Sequence, residues 1–332
     1  LLIPISTEHA EKRHQPIANL AIIALTSLVS LVLMHRLDDA MLASFIAHGD
    51  PSKLDGWIRH LPLVRGSADL LQLVGHTLLH ADGWHLLGNM LLLLALGNSV
   101  NARIGQLRYV ALYVVSGAVA ATAWLLFGGD ARLMIGASGA ISGVVGAFLV
   151  LFPLTRVNVI FWLTGLVALL FAGALSLIMG RQSLPLLEGT GLAVIVVTIF
   201  ALRSLAEQSP PEGALLRALG FWSFPLSGFW VVLWFVGWDV AAVVGKVGGR
   251  VAHEAHLGGV AGGMTIAAGL ALAGFVRGTR DDPTLPELVG LVPPRAEPAR
   301  TPTFTALMPP TRRYNQALTF SDYRRQRLSP EV

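Results

Sequence analysis

Gly136-Ala137-Ser138-Gly139-Ala140-Ile141-Ser142-Gly143 opens an apolar run near the middle of the chain. Small residues crowd together in a membrane helix where another backbone must come close. A serine in such a run is usually packing material, bonded back to its own helix. Taken alone, Ser138 and Ser142 both read that way. The rest of the chain changes the reading for Ser138 and leaves it for Ser142.

The 332 residues are 54% hydrophobic and 13% charged, with a mean hydropathy of +0.63. Soluble domains carry about 25% charged residues, so half that share implies lipid as the main solvent. A net charge of +4 suits basic loops on one membrane side and gives no footprint for a nucleic-acid partner. Zero cysteines exclude disulfides and thiol catalysis.

Outward from the opening stretch, the sequence predicts an all-α polytopic membrane protein. Apolar segments at 17–34, 84–100, 109–127, 137–151, 157–179, 189–202, 221–244 and 255–275 give about eight spans. Basic residues Lys12 and Arg13 hold the 1–16 lead in the cytoplasm, and the 101–108 turn is basic in the same sense. Residues 35–75 read as an external loop lying at the interface. The segment 277–332 holds nine of the eighteen prolines and reads as a disordered cytoplasmic tail.

Polar groups inside spans are costly and usually functional. Here they are His85, Asn89, Ser138, Asp239 and His256, with His253 and Glu254 at an edge. Asp239, next to Trp238 near a span end, reads as interfacial. Ser138 and His256 each begin a span, and three predicted spans separate theirs. The two helices then run in the same direction, with both residues near the external face. Gly139/Gly143 and Gly259/Gly263 give each helix a small-xxx-small face for close contact. An imidazole beside a serine can take its proton and make it a nucleophile. His85 and Asn89 lie four apart on one helix face, and with the Ser138 amide they can donate to a developing oxyanion. Plainer readings stand beside these: Asn89 as helix glue, His85 bonded to a carbonyl, His253 and His256 as metal ligands.

Together these residues resemble the rhomboid family of intramembrane serine proteases. Gly136-Ala137-Ser138-Gly139 looks like the family's GxSG motif. Ala255-His256-Leu257-Gly258-Gly259 with Gly263 is similar to its AHxGG…G motif, and His80 to Asn89 to its H-x4-H-x3-N segment. The resemblance implies a six-helix core and a Ser138–His256 dyad without an acidic third member. It implies His85, Asn89 and the Ser138 amide as the oxyanion hole. It further implies cleavage of membrane-protein substrates in or beside their transmembrane segments, in a lipid bilayer and without cofactor or metal. The location implied is a cell inner or plasma membrane with cytoplasmic termini.

Three departures accompany it. Leu71-Gln72 stands where the family often has Trp-Arg. Ser142 stands where an aromatic often follows the serine by four. Three segments, not one, lie between the serine and histidine helices. With 17–276 as the membrane domain, 157–202 then reads as an inserted helical hairpin. Two other functions compete: a haem- or metal-binding membrane protein using His76/His80/His85 and His253/His256, and a catalytically silent rhomboid-like binding protein.

Overall fold

The computed structural model describes residues 2–7, 14–36, 56–129, 131–162, 221–245, 251–279 and 282–293. The chain divides into two units, Leu1–Pro294 and Arg295–Val332. The second unit lies outside the described residues, as does 163–202 of the expected hairpin.

After strand β1 (Leu2–Thr7), helix α1 covers Ile17–Arg36. Further along come a 3-10 turn at Gly56–His60, strand β2 (Leu63–Val64) and a short helix α2 (Gln72–Gly75). Helix α3 (Gly83–Leu92) runs through a π turn (Leu93–Gly97) into α4 (Asn98–Ile104). Then come α5 (Gln106–Phe127), strand β3 (Leu133–Met134) and α6 (Ser138–Leu151). Strands β4 (Arg156–Trp162) and β5 (Phe221–Ser227) precede α7 (Gly228–Val244) and α8 (His253–Leu272), and a short α9 covers Leu285–Leu288. The fold is mostly helical and polytopic. By length and apolarity α1, α5 and α8 can each cross a membrane.

Helix α6 is the centre. Ala140, Ile141, Ala147, Phe148 and Leu151 are almost fully buried, because α5 and α8 pack on it through small residues. A Cβ at Gly259 would run into the Gly139 carbonyl oxygen, and one at Gly263 into that of Gly143. The contacts climb both helices in step, with Gly139 beside Ala255 and Gly146 beside Val260 and Met264. The α6 and α8 helices are therefore parallel and nearly touch backbone to backbone.

The π turn leaves a backbone carbonyl to be satisfied from outside its helix. Asn19 of α1 supplies the donor, bonding the Leu93 carbonyl at 3.0 Å and Asn98 Oδ1 at 2.8 Å. Asn19 in turn accepts from the Tyr109 hydroxyl. This buried polar knot docks α1 onto the π turn, α4 and α5.

Three sequence expectations are corrected. Residues 157–162 do not start a span: Arg156–Trp162 is the middle strand of an antiparallel sheet ordered β1-β4-β5. Val157 and Val159 are buried while Arg156 is exposed, an alternation that fits a strand and not a helix. The apolar run at 221–244 becomes a helix only at Gly228, since Pro225 sits in the edge strand β5, where a missing N–H is tolerated. The tail expected to be disordered from 277 is folded as far as Val292. Thr284 and Glu287 cap α9 reciprocally. Asp282 takes hydrogen bonds from Arg103 and, at 2.8 Å, from Thr155. Arg103 is buried with its guanidinium 4.3 Å from the Phe152 ring centroid. A buried ion pair with further hydrogen bonds is hard to open once made, so this segment is clamped to the ends of α4 and α6.

Candidate functional site

Ser138 is the first residue of α6. The turn before it depends on Gly136, whose φ of +122° suits glycine. A Cβ there would also lie 2.8 Å from His85 Cε1 and 3.0 Å from His85 Nε2, with Ser138 Oγ at 3.8 Å. The glycine thus lets the His85 ring and the serine hydroxyl share one space. His76 and strand β2, both from the segment before α3, fix this turn. His76 donates through Nδ1 to the Gly136 carbonyl at 3.2 Å, and the Gly136 amide donates to the His76 carbonyl at 2.9 Å. On the other side, Leu63 pairs with Met134 and Val64 with Leu133.

His85 sits in the first turn of α3. Asp82 caps that helix by accepting from the His85 amide at 2.8 Å. His80 lies 5.0 Å from His85, ring centroid to centroid, edge to face. Its protonation follows from counting donors. Ser30 Oγ donates to the Leu78 carbonyl, so it must accept from His80 Nδ1–H at 2.9 Å. His80 Nε2 then carries a lone pair, which accepts from Asn89 Nδ2 at 2.8 Å. The ring is spent on both sides and cannot serve as a base or ligand. Asn89 spends one amide N–H on it, and among the described residues the other is not committed. Both His76 and His80 lie in the segment before α3 and are buried. That burial holds the His76 imidazole down at about 4 and the His80 imidazole at about 3, so both are neutral near pH 7.

His256 stands one turn into α8, beside Ala255, which packs against Gly139. It lies within electrostatic range of His85. Among the described residues no hydrogen bond joins either of its ring nitrogens to the Ser138 hydroxyl. Its Nδ1 faces the carboxylate of Asp239 on α7, at 3.1 Å from Oδ1 and 3.2 Å from Oδ2. His253 Nδ1 lies 2.6 Å from the same Oδ1. The two histidines, three apart, share one face of α8 with rings edge to face at 6.1 Å. Asp239 is buried, 8% exposed, and both histidines face its carboxylate. A carboxylate in an apolar helix is expensive unless paired, and that cost was the signal available in the sequence. Its two partners, 14 and 17 residues away along the chain, were not visible there.

The histidines therefore form two groups and not one. The ligand atoms of Asp239, His253 and His256 lie within 4.8 Å of one another and could hold a metal ion. Of the first group, His80 has both nitrogens committed and His76 has one. Gly139, Gly143, Gly259 and Gly263 all sit where α6 and α8 touch.

Residues 67–201 match the Rhomboid domain family. The match takes in the His80–Asn89 segment and Ser138, and it ends before α8. A stretch of 92 residues is 35% identical to Rhomboid protein 1, mitochondrial, of Saccharomyces cerevisiae (strain ATCC 204508 / S288c), covering 26% of this chain and 27% of that protein. The chain thus aligns with about a quarter of the length of that curated relative.

Proposed function

The chain belongs to the rhomboid family, and from that premise we propose that it is an intramembrane serine endopeptidase. Ser138 is the nucleophile and His256 the general base. His85, the free N–H of Asn89 and the Ser138 amide stabilise the oxyanion. The substrates are transmembrane or juxtamembrane segments of other membrane proteins. The observation that carries this reading is the parallel contact of α6 and α8. It brings the first turns of both helices, which carry Ser138 and His256, to one end of the bundle, and the Gly136 turn ahead of Ser138 lies against the His85 ring.

Chemically, His256 accepts the Ser138 proton as Oγ attacks the scissile carbonyl. The imidazolium then gives that proton to the leaving amine. Donors aimed at the developing oxyanion matter most where water is scarce. Helix α6 supports such a setting. Its 14 residues span about 21 Å, short of the ~30 Å hydrocarbon core. With its C-terminal end at the opposite surface, Ser138 starts below the external one. We place the protein in a cell inner or plasma membrane with cytoplasmic termini, as the basic 101–108 turn supports.

Purified protein in detergent should be labelled by a fluorophosphonate probe, and Ser138→Ala should abolish labelling. Equal labelling of both would sink the assignment. No labelling of either would favour a catalytically silent relative. A second reading, metal binding, rests on the Asp239/His253/His256 group. It predicts stoichiometric zinc or another transition metal on the purified protein, lost in His253→Ala.

A further inference from the structure

We propose that Asp239 is a positioning residue for the reaction: it holds His256 in the Nδ1–H tautomer, so that the unprotonated Nε2 is the nitrogen offered to Ser138. The inference rests on the protease reading above and adds an acidic third member to the dyad that the family resemblance implies.

The argument is one of donors and acceptors. An ionised carboxylate only accepts, so each imidazole nitrogen facing it carries a proton. His253 Nδ1 at 2.6 Å and His256 Nδ1 at 3.1 Å and 3.2 Å both face Asp239. A neutral imidazole with hydrogen on Nδ1 has its lone pair on Nε2, across the ring. For His256 that is the side away from α7. A base with the wrong tautomer has no lone pair for the serine proton, and triads built on a carboxylate owe most of its effect to this.

Burial makes the arrangement costly to keep for packing alone. The side chains of Asp239, His253 and His256 are 12%, 11% and 16% exposed. The rest of the α7 face near the carboxylate is apolar, with Val232 and Ala242 buried. An unpaired acid there would be strongly unfavourable. His253 supplies the second hydrogen bond and fixes the carboxylate from the N-terminal turn of α8. With one oxygen held by His253, rotation of Asp239 is limited and both its oxygens stay within reach of His256. His253 thus acts on the reaction at two removes, through Asp239.

Two measurements on the full-length protein in detergent micelles test this. The first is the rate of labelling by a fluorophosphonate probe. Asp239→Asn keeps the shape of the side chain but lets its amide donate, so the imidazole can turn over or take the other tautomer. Labelling should slow by at least about a hundredfold, by analogy with carboxylate removal from other serine triads. His253→Gln should slow it less, and Asp239→Glu should recover part of the rate. Labelling of Asp239→Asn within twofold of wild type overturns the proposal. The protease reading would survive that result, because it is tested by Ser138→Ala. The second measurement is the nitrogen NMR spectrum of histidine-labelled wild type near neutral pH, assigned with His256→Gln. It needs neither activity nor a folded Asp239 variant. The expected spectrum has His256 protonated at Nδ1 and bare at Nε2. The opposite tautomer, or one equivalent of zinc retained on Nδ1, overturns the proposal.

Discussion

The two histidine groups sit at the same end of the bundle and differ in what holds them. His76 and His80 are bonded to a carbonyl, a hydroxyl and a side-chain amide, all neutral. His253 and His256 are bonded to a carboxylate. Neutral partners fix a ring, at one nitrogen in His76 and at both in His80. In the first group the rings act as braces: His76 ties the Gly136 turn, and His80 links α1 to Asn89 and meets the His85 ring edge to face. A carboxylate takes one nitrogen as a donor and leaves the lone pair of the other unspent. A count of polar residues in spans does not separate these groups; the charge of the partner does.

The largest expected effect breaks this comparison or sharpens it. His256→Gln removes the proposed base, and fluorophosphonate labelling should fall by about a thousandfold. His80→Gln removes a brace. It should lower the thermal midpoint while labelling per folded molecule stays within about tenfold, because no proton passes through that ring. Equal loss of labelling in both variants would erase the distinction between brace and base. A smaller effect is expected from the helix contact that brings the second group to the serine. In Gly263→Val the new side chain meets the Gly143 carbonyl at once, and the fold should lose on the order of 3 kcal/mol. On α7, Gly237 has open space around a Cβ. Gly237→Val should therefore change stability by no more than about 0.5 kcal/mol. Thermal unfolding of the two variants in one detergent measures the difference. Similar midpoints would mean that α6 and α8 have room to part.

The same contrast explains what could be read from the chain beforehand. Helices α1, α5 and α8 follow from long apolar runs, and the α6–α8 contact from glycines four apart in both. Local signals were enough, because each depends on one helix and its own period. The sheet was missed because a short apolar strand and the start of a span look alike in hydropathy. Only the alternation of Arg156, Val157, Asn158 and Val159 tells them apart. The folded segment after Gly278 was hidden by proline density, although Thr284 and Glu287 carry a readable capping box with Pro286 between them. Asp239 was the hardest. Its cost in lipid is legible, but the histidines that offset it come from the next helix, and their spacing along the chain does not reveal the pairing.

The last prediction concerns the bracing histidines and pH. Burial holds His76 near 4 in the folded protein, against 6.5 for an ordinary imidazole. The unfolded chain thus binds a proton that the folded chain refuses between those values. Stability is complete above about pH 6.5 and falls as pH drops towards 4. For His76 the loss between pH 7 and pH 5 is about 2 kcal/mol. His80, pushed the same way by burial, adds to it with the same sign. His60 and Asp69 form an exposed pair at 2.9 Å, where solvent screens the interaction. The thermal midpoint should therefore fall on acidification, and His76→Leu should flatten the slope, since a leucine has no proton for the unfolded chain to gain. If that slope is unchanged in His76→Leu, the acid sensitivity lies elsewhere. His76 would then brace the Gly136 turn without setting the pH range in which the turn survives.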